Sequence, residues 1–353
     1  MLPSLLIGMA LAASLFVQSM STPLAGLWLP LFLAGCLISL REGYPKETLV
    51  WKAALVWLTA VTASTFVFNP VINAASVMWI LSALPFLAMT LHPKYIKRCT
   101  VVFCVILTLY ALGLIYQQYA DIRYTYYNFN GGDGRSWPLL NPNNAAAVMN
   151  MAVIPSFYMA LRYYRYVPLF IIFATALLIT RSQAGILIGA GCCFLVASHR
   201  FGPKFMLSGL IGGMAFVTAV FFYRPESIIS PANSFKSRIP IWETSVSMVR
   251  NNPLVGSGIG TFGYYYKDIR QEDYSSGWFA HNDPLQIGVE MGIPAMILFL
   301  AFMVIGMLKA HMAARYAILA VFLHSLVEFQ IYLPATSLLL GLAISTNKRK
   351  IPG

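Results

Sequence analysis

The chain has 353 residues, of which 58% are hydrophobic and only 10% are charged, and its formal net charge is +12. Soluble domains of this length carry about 25% charged residues, so the composition excludes an ordinary water-soluble protein. A helix that crosses a bilayer needs about 20 apolar residues. The apolar runs are continuous rather than alternating, which favours helices over a β-barrel. The sequence therefore predicts an all-α, polytopic membrane protein.

Apolar stretches follow one another along the whole chain, and we expect about 12 transmembrane helices in a single membrane domain over residues 1–353. Two connections are long enough to fold by themselves, a first loop at 120–143 and a large loop at 223–290, in which short helices are expected. The stretches lie at residues 2–20, 24–40, 50–68, 72–91, 99–119, 144–161, 166–180, 184–198, 204–222, 291–308, 314–327 and 330–346.

Lysine and arginine are concentrated in every second loop. Because short cytoplasmic loops attract these residues, the positive net charge indicates membrane topology rather than a nucleic-acid-binding surface. Both termini are expected in the cytoplasm, and the loops 120–143 and 223–290 on the outer side. The acidic residues of the cytoplasmic side are Glu42 and Glu47, and its basic residues are Arg41, Lys46, Lys52, Lys94, Lys97, Arg98, Arg162, Arg165, Arg200, Lys204, Lys309, Arg315, Lys348, Arg349 and Lys350.

The two outer loops contain recognisable helix signals. Residues 241–250 show helical spacing of apolar side chains, and Asn251-Asn252-Pro253 should end that helix. Trp242, Val246 and Val249 lie on one face of this helix. Ile241, Ser245 and Met248 extend that face, which is expected to pack on the membrane domain or at the membrane interface. In the first loop, Asn143 or Asn144 is expected to cap the following helix.

Two patterns that often mark cofactor sites are weak in this chain. The glycine-rich run 256–263 could bind phosphate through backbone N–H groups, but it lacks the Lys-Ser/Thr end of a P-loop, so a tight turn is favoured. The five cysteines lie in or beside apolar stretches and predict neither a disulfide framework nor a metal site. No cofactor is expected.

Three outer-side residues are candidates for chemistry. Arg181 lies in a short turn between two spans and Arg238 precedes the loop helix, so both are either ordinary interfacial charges or an anion-binding pair. His281 is either a structural hydrogen-bonding residue or a general base, and Asp283 is a possible partner for it. Aromatic side chains of the large loop, Tyr264, Tyr265, Tyr266 and Trp278, suit either an interfacial belt or sugar stacking.

His324 and Glu328 are one helical turn apart in the eleventh apolar stretch. Ionisable residues inside a membrane are costly and often functional. A paired structural contact and the lining of an outer cavity are equally compatible with this spacing.

The compartment limits the chemistry that these residues can perform. There is no ATP outside the cell membrane, so a bond-forming enzyme there must use a donor that is already activated on a carrier. A lipid diphosphate meets that need, because two arginines can stabilise the leaving diphosphate and a histidine can deprotonate the attacking hydroxyl.

Several short motifs make the chain resemble the O-antigen ligase and O-antigen polymerase superfamily, bacterial membrane glycosyltransferases of the GT-C type. The resemblance runs from about residue 140 to the C-terminus. The motifs are Asn141-Pro142-Asn143; Arg181-Ser182-x-Ala184-Gly185; Arg238-x-Pro240-x-Trp242 with Asn252-Pro253-Leu254-Val255-Gly256-x-Gly258; His281-Asn282 with Glu290-x-Gly292-Ile293-Pro294; and His324-Ser325-Leu326-Val327-Glu328-Phe329. Gln183 departs from the pattern.

The resemblance implies an inverting, metal-independent glycosyltransferase in the bacterial inner membrane, with an undecaprenyl-diphosphate-linked glycan as donor and the active site on the periplasmic side. Arg181 and Arg238 would hold the diphosphate, and His281 would assist the acceptor. Substrate-binding residues are expected at Asn143, Trp242, Tyr265, Trp278, Asn282 and Glu290.

The acceptor is left open by the sequence. Twelve spans with one large loop favour a ligase that uses lipid A-core. A polymerase that uses another lipid-linked repeat and a protein O-oligosaccharyltransferase are the alternatives. A lipid-linked glycan transporter and a structural assembly partner are the competing classes, and the transporter would show ionisable residues and broken helices at mid-membrane in two related halves.

Overall fold

The computed structural model describes residues 2–15, 24–40, 56, 59, 93–121, 136, 138–139, 141–223, 236–269 and 279–346. The regular elements within these ranges are α-helices and one short 3-10 helix, Tyr164–Tyr166. The helices are α1 (Leu2–Ser14), α2 (Leu24–Leu40), α3 (Pro93–Tyr119), α4 (Pro142–Ala160), α5 (Val167–Ile179), α6 (Gln183–Phe201), α7 (Pro203–Tyr223), α8 (Ile239–Asn251), α9 (Phe262–Ile269), α10 (Asp283–Lys309), α11 (Met312–Ser325) and α12 (Pro334–Ser345).

The predicted all-α architecture is confirmed over this part of the chain. Within the described residues, three helical segments are long and apolar enough to cross a membrane, Tyr95–Tyr119, Gln183–Phe201 and Asp283–Lys309. Several other apolar helices, including α11 and α12, are shorter. The total of about 12 spans stays a prediction, and the expected spans at 50–68 and 72–91 lie outside the described residues apart from two single positions.

Helix α4 lies at the centre of the described helices and packs against α5, α6 and α11. Its buried face includes Ala145, Ala146 and Ala147, and such small side chains allow close helix approach in membranes. The Asn150 side-chain amide donates to the Gly185 carbonyl oxygen at 2.9 Å. A Cβ atom at Gly185 would lie 2.4 Å from the Ala146 Cβ, so glycine is required for the contact between α4 and α6.

The residue that caps helix α4 lies two or three positions earlier than the sequence suggested. Asn141 is the cap, with an extended backbone and a side chain that accepts from the Asn143 N–H at 2.8 Å. The prediction of Asn143 or Asn144 was wrong because Pro142 occupies the first helical turn, where proline is favoured. The side chain of Asn143 is thereby available for long-range contacts.

Helix α10 is kinked at Gly292, whose φ of 85° is outside the helical range. Pro294 has no N–H to bond the Glu290 carbonyl. The glycine-rich segment replaces the lost bonds, because Gly258 N donates to Glu290 O at 3.0 Å, Ser257 N to Val289 O at 2.8 Å, and Ile293 N to Pro253 O at 2.8 Å. The favoured tight-turn interpretation is confirmed, and this turn fixes the large loop to the kink.

The large loop has the helix that its sequence predicted. Helix α8 buries Ile241, Ser245 and Met248 and packs on α10, whereas Val246 of the predicted face is exposed. Helix α10 starts at Asp283, so residues 283–290 are helical, whereas the sequence placed the start of this span near residue 291. The Asn282 cap starts the helix at residue 283, and the turn 253–258 holds its kink in place. As a result, α8 and α9 pack beside the N-terminal part of α10.

Candidate functional site

A buried carboxylate, Glu328, joins residues that are far apart in the sequence. Glu328 lies in the turn after α11, and its side chain is 2% exposed. Its Oε2 accepts from Arg238 Nη2 at 3.0 Å and from Asn143 Nδ2 at 2.6 Å. Its Oε1 is hydrogen-bonded to His281 Nδ1. One side chain therefore connects three regions: the end of the first loop through Asn143, the start of α8 through Arg238, and the end of the large loop through His281.

His281 is held in place by its neighbours on both sides. The Trp242 indole N–H donates to the Ala280 carbonyl oxygen at 3.0 Å. The Asn282 side chain caps α10 by accepting from Leu285 N at 2.9 Å, and it donates to the Leu326 carbonyl oxygen at 2.9 Å. Trp242 and Asn282 thus fix the histidine segment to α8, to α10 and to the turn that carries Glu328.

The turn that contains Arg181 is connected to the same centre through Ser182. The Ser182 hydroxyl donates to Asn143 Oδ1 at 2.7 Å and accepts from Gly185 N at 3.1 Å, which caps α6. Asn143 in turn donates to Glu328. Arg181 itself is exposed, so its side chain lies at the surface of a turn that is tied to the buried carboxylate.

Two of the candidate residues have unusual backbone conformations. Among the described residues other than glycine, positive φ angles occur at Asp121, Arg181 (56°) and His281 (49°). Such conformations cost of order 1–3 kcal/mol and cluster at functional sites. The strain is compatible with a local structure selected for the position of the side chain rather than for stability.

The charges around Glu328 keep it ionised. Burial acts to raise the pKa of Glu328, but the hydrogen bond and charge of His281, the charge of Arg238 and the bond from Asn143 together hold that pKa below its ordinary value of 4.5. The charge of His281 is present only when both of its ring nitrogens are protonated. When the ring is neutral, the Glu328 carboxylate can accept only from a protonated Nδ1. His281 Nε2 then keeps the lone pair that a general base needs.

The structure brings only some of the predicted residues to Glu328. Arg238, His281 and Asn143 contact it, and Trp242 and Asn282 position the histidine. Glu290 is buried elsewhere: it accepts from Phe262 N at 3.2 Å, Gln286 Nε2 at 2.9 Å and Tyr332 Oη at 3.3 Å. Through those bonds Glu290 links the large loop to α10 and to the segment that precedes α12.

The remaining candidates lie apart from this centre. Tyr265 is 39% exposed on α9, and Trp278 lies outside the described residues. Asp283, a possible partner of His281, accepts instead from the backbone N–H groups of Gln330 and Ile331 at 2.9 and 3.1 Å. It therefore holds the segment that follows Glu328. Within the described residues, no group of three or more His, Cys, Asp and Glu side chains is arranged to bind a metal.

The central role of Glu328 could not be assigned from the sequence, which was equally compatible with a structural contact and a cavity lining. The available signal was a carboxylate next to an apolar span, because such a charge needs cationic or hydrogen-bonding partners. His324, one turn away, is fully buried, and neither ring nitrogen has a hydrogen-bond partner in the described part of the chain.

A known family matches the middle part of the chain. Residues 168–300 match the O-antigen ligase family, Wzy_C. This confirms the resemblance inferred from the motifs and supports membrane glycosyltransferase activity of the O-antigen ligase and polymerase type. The matched segment contains Arg181, Arg238 and His281, whereas Asn143 and Glu328 lie outside it. No curated protein matches the chain.

Proposed function

We propose that this protein is an inverting, metal-independent glycosyltransferase. It transfers an undecaprenyl-diphosphate-linked glycan to lipid A-core at the periplasmic face of the bacterial inner membrane, as an O-antigen ligase does. The observation that carries the proposal is the Glu328 centre, which pairs with Arg238 and His281 and is joined through Asn143 and Ser182 to the turn of Arg181.

The two arginines have the chemistry required to bind the donor diphosphate. A guanidinium has five N–H donors in a planar fork, so a bond to Glu328 is compatible with a bidentate contact to phosphate. Charge develops on the diphosphate as its bond to the sugar breaks, and positioned cations stabilise that charge. Arg238 provides a cation from the large loop, and Arg181 provides a second from the membrane-domain turn.

His281 is placed to activate the acceptor. In the proposed step its Nε2 accepts the proton of the acceptor hydroxyl as that oxygen attacks the anomeric carbon. The bond from the anomeric carbon to the diphosphate breaks, and its electron pair leaves with the diphosphate. Attack opposite the leaving group inverts the anomeric configuration. Glu328 stabilises the imidazolium that forms and keeps the proton on Nδ1.

The other predicted substrate-binding residues divide into two groups under this proposal. Asn143, Trp242 and Asn282 shape the site through the bonds described above. Tyr265 and Trp278 are assigned to sugar stacking from the large loop over residues 223–290. Glu290 holds the large loop through its bond to Phe262 N, so its contribution to substrate binding is indirect.

Deletion of the gene, followed by separate measurement of surface glycan and lipid-linked glycan, tests the proposal. Loss of a ligase leaves long glycan on the carrier lipid and none on lipid A-core. Single repeats on the carrier would indicate a polymerase instead, and loss of glycan from proteins would indicate a protein O-oligosaccharyltransferase. Glycan absent from the periplasmic side of the membrane would indicate a transporter. Unchanged glycan in all pools would contradict any transferase role.

A further inference from the structure

The helices that carry the candidate site gather basic residues at their other end. Helix α4 begins at Pro142, next to Asn143, helix α6 begins directly after Ser182, and α11 leads to Glu328. At their opposite ends, Tyr158, Arg162, Val196, His199, Arg200 and Met312 line one pocket. Each of α4 and α6 has 19 residues, or about 28 Å at 1.5 Å per residue. That length is close to the hydrocarbon thickness of a bilayer. With the candidate site at one membrane surface, it would put the pocket at the other.

The pocket is organised by an aromatic side chain. The Arg162 guanidinium carbon lies 4.5 Å from the centre of the Tyr158 ring. The same ring meets the edge of the His311 ring at 5.8 Å. Tyr158 is only 8% exposed, so it gives Arg162 a fixed support. An arginine held in this way loses little freedom when it binds an anion.

Among the described residues, no acidic side chain lines this pocket. The acidic residues in the described part of the chain are Asp121, Glu243, Asp268, Asp283, Glu290 and Glu328. Burial, and next the positive charge of Arg162, lower the pKa of His311. The pocket thus has an excess of positive charge that an external anion would offset.

We propose that this pocket binds the phosphodiester head group of an anionic phospholipid in the leaflet opposite the candidate site. Arg162 and Arg200 provide the cationic groups, and His199 lies beside them. Val196 and Met312 form the apolar part of the pocket lining. Basic pockets between transmembrane helices are suited to anionic head groups. The preference of cytoplasmic loops for basic residues explains why there are many basic residues at this end. It does not explain why Arg162, His199 and Arg200 line the same partly apolar pocket.

The experiment measures binding of phosphatidylglycerol to the purified full-length protein by native mass spectrometry, with phosphatidylcholine as the reference lipid. The test variant is Arg162→Gln with Arg200→Gln. The control is Arg165→Gln with Lys204→Gln, which removes the same charge from the same end but outside the pocket. We expect the test variant to bind phosphatidylglycerol about tenfold more weakly and the control to change by less than about twofold.

Three results would overturn the proposal. Equal weakening in both variants would show diffuse attraction to the surface rather than a site. No weakening in the test variant would show that the pocket is not used. Displacement of the lipid by inorganic phosphate at the same concentration would show a site for a free anion. Arg162→Lys with Arg200→Lys keeps the charge and should retain more binding than the glutamine pair, which separates charge loss from misfolding.

Discussion

Helices α4, α6 and α11 have charged side chains near both ends, but the described residues supply a counter-ion at only one. At the site end, Glu328 is buried between Arg238, His281 and Asn143. At the other end, Arg162 and Arg200 line a pocket, and the Arg162 guanidinium lies over the Tyr158 ring. An internal carboxylate fixes the geometry of reactive groups, whereas uncompensated cations suit an external ligand. The difference separates the proposed reaction centre from the proposed lipid site.

The largest expected effect is the loss of transfer after removal of an arginine from the site end. Arg238→Ala and Arg181→Ala should each lower the transfer rate by about 10³-fold or more, because each removes a cation from the developing charge on the diphosphate. Surface glycan in a complemented deletion strain is the readout, with membrane insertion checked by immunoblot. Arg250→Ala is the control, since Arg250 is an exposed residue of the same helix as Trp242. Equal loss in the control would remove the arginines from the mechanism.

The next effect distinguishes two buried glutamates. Glu328→Gln should lower the transfer rate by about 10²-fold, because the new amide can donate to His281 Nδ1 and so favours the tautomer whose Nε2 is protonated. Glu290→Gln should keep most of the transfer rate but lower the thermal midpoint, because its amide group faces hydrogen-bond donors and costs about 1–3 kcal/mol.

Rates and thermal midpoints of both variants are measured on the purified protein, together with the pH profile of transfer. A purely structural role of Glu328 predicts a lower midpoint with an unchanged rate per folded molecule. That outcome would refute the histidine-positioning role. Glu328→Asp should restore part of the rate, since it retains the charge.

The motifs predicted Arg238 and His281, but sequence reasoning could not show what joins them. Glu328 is 47 residues from His281 and 90 from Arg238, so no local spacing rule connects these side chains. The helix 239–251 was predictable because its apolar spacing and its Asn-Asn-Pro end are local features. The kink at Gly292 was not predicted, and the segment that restores its hydrogen bonds comes from residues 253–258, a contact that is defined only by tertiary packing.

A smaller effect concerns the connection between the large loop and α10. Gly292→Ala should destabilise the protein by about 1–3 kcal/mol, because the φ of 85° disfavours a side chain and a new Cβ would lie 2.3 Å from the Leu254 carbonyl oxygen. Gly113→Ala in α3 is the matched control, since nothing lies within 4 Å of its Cβ position. The control should be stabilised by about 1 kcal/mol at most, and equal thermal midpoints for the two variants would contradict this account of the kink.

The smallest expected effect is on the pH dependence of stability. The pKa of Glu328 is lowered from its ordinary value of 4.5, so its ionised pairing contributes fully above that value and is lost as the pH falls through the lower folded-state pKa. The difference in thermal midpoint between wild type and Glu328→Gln should stay constant from about neutral pH down to 4.5 and shrink below it. A difference that shrinks well above that value would show that Glu328 is not held ionised by Arg238 and His281.

The most direct measurement of the central claim is glycan transfer by the purified protein in lipid nanodiscs, from an undecaprenyl-diphosphate-linked donor to lipid A-core, with wild type and His281→Ala compared in the presence of a metal chelator. The proposed mechanism predicts that wild type forms a product of inverted configuration and that His281→Ala forms little or none. Equal rates for the two proteins, or a product of retained configuration, would contradict a transfer reaction driven by the Glu328 centre.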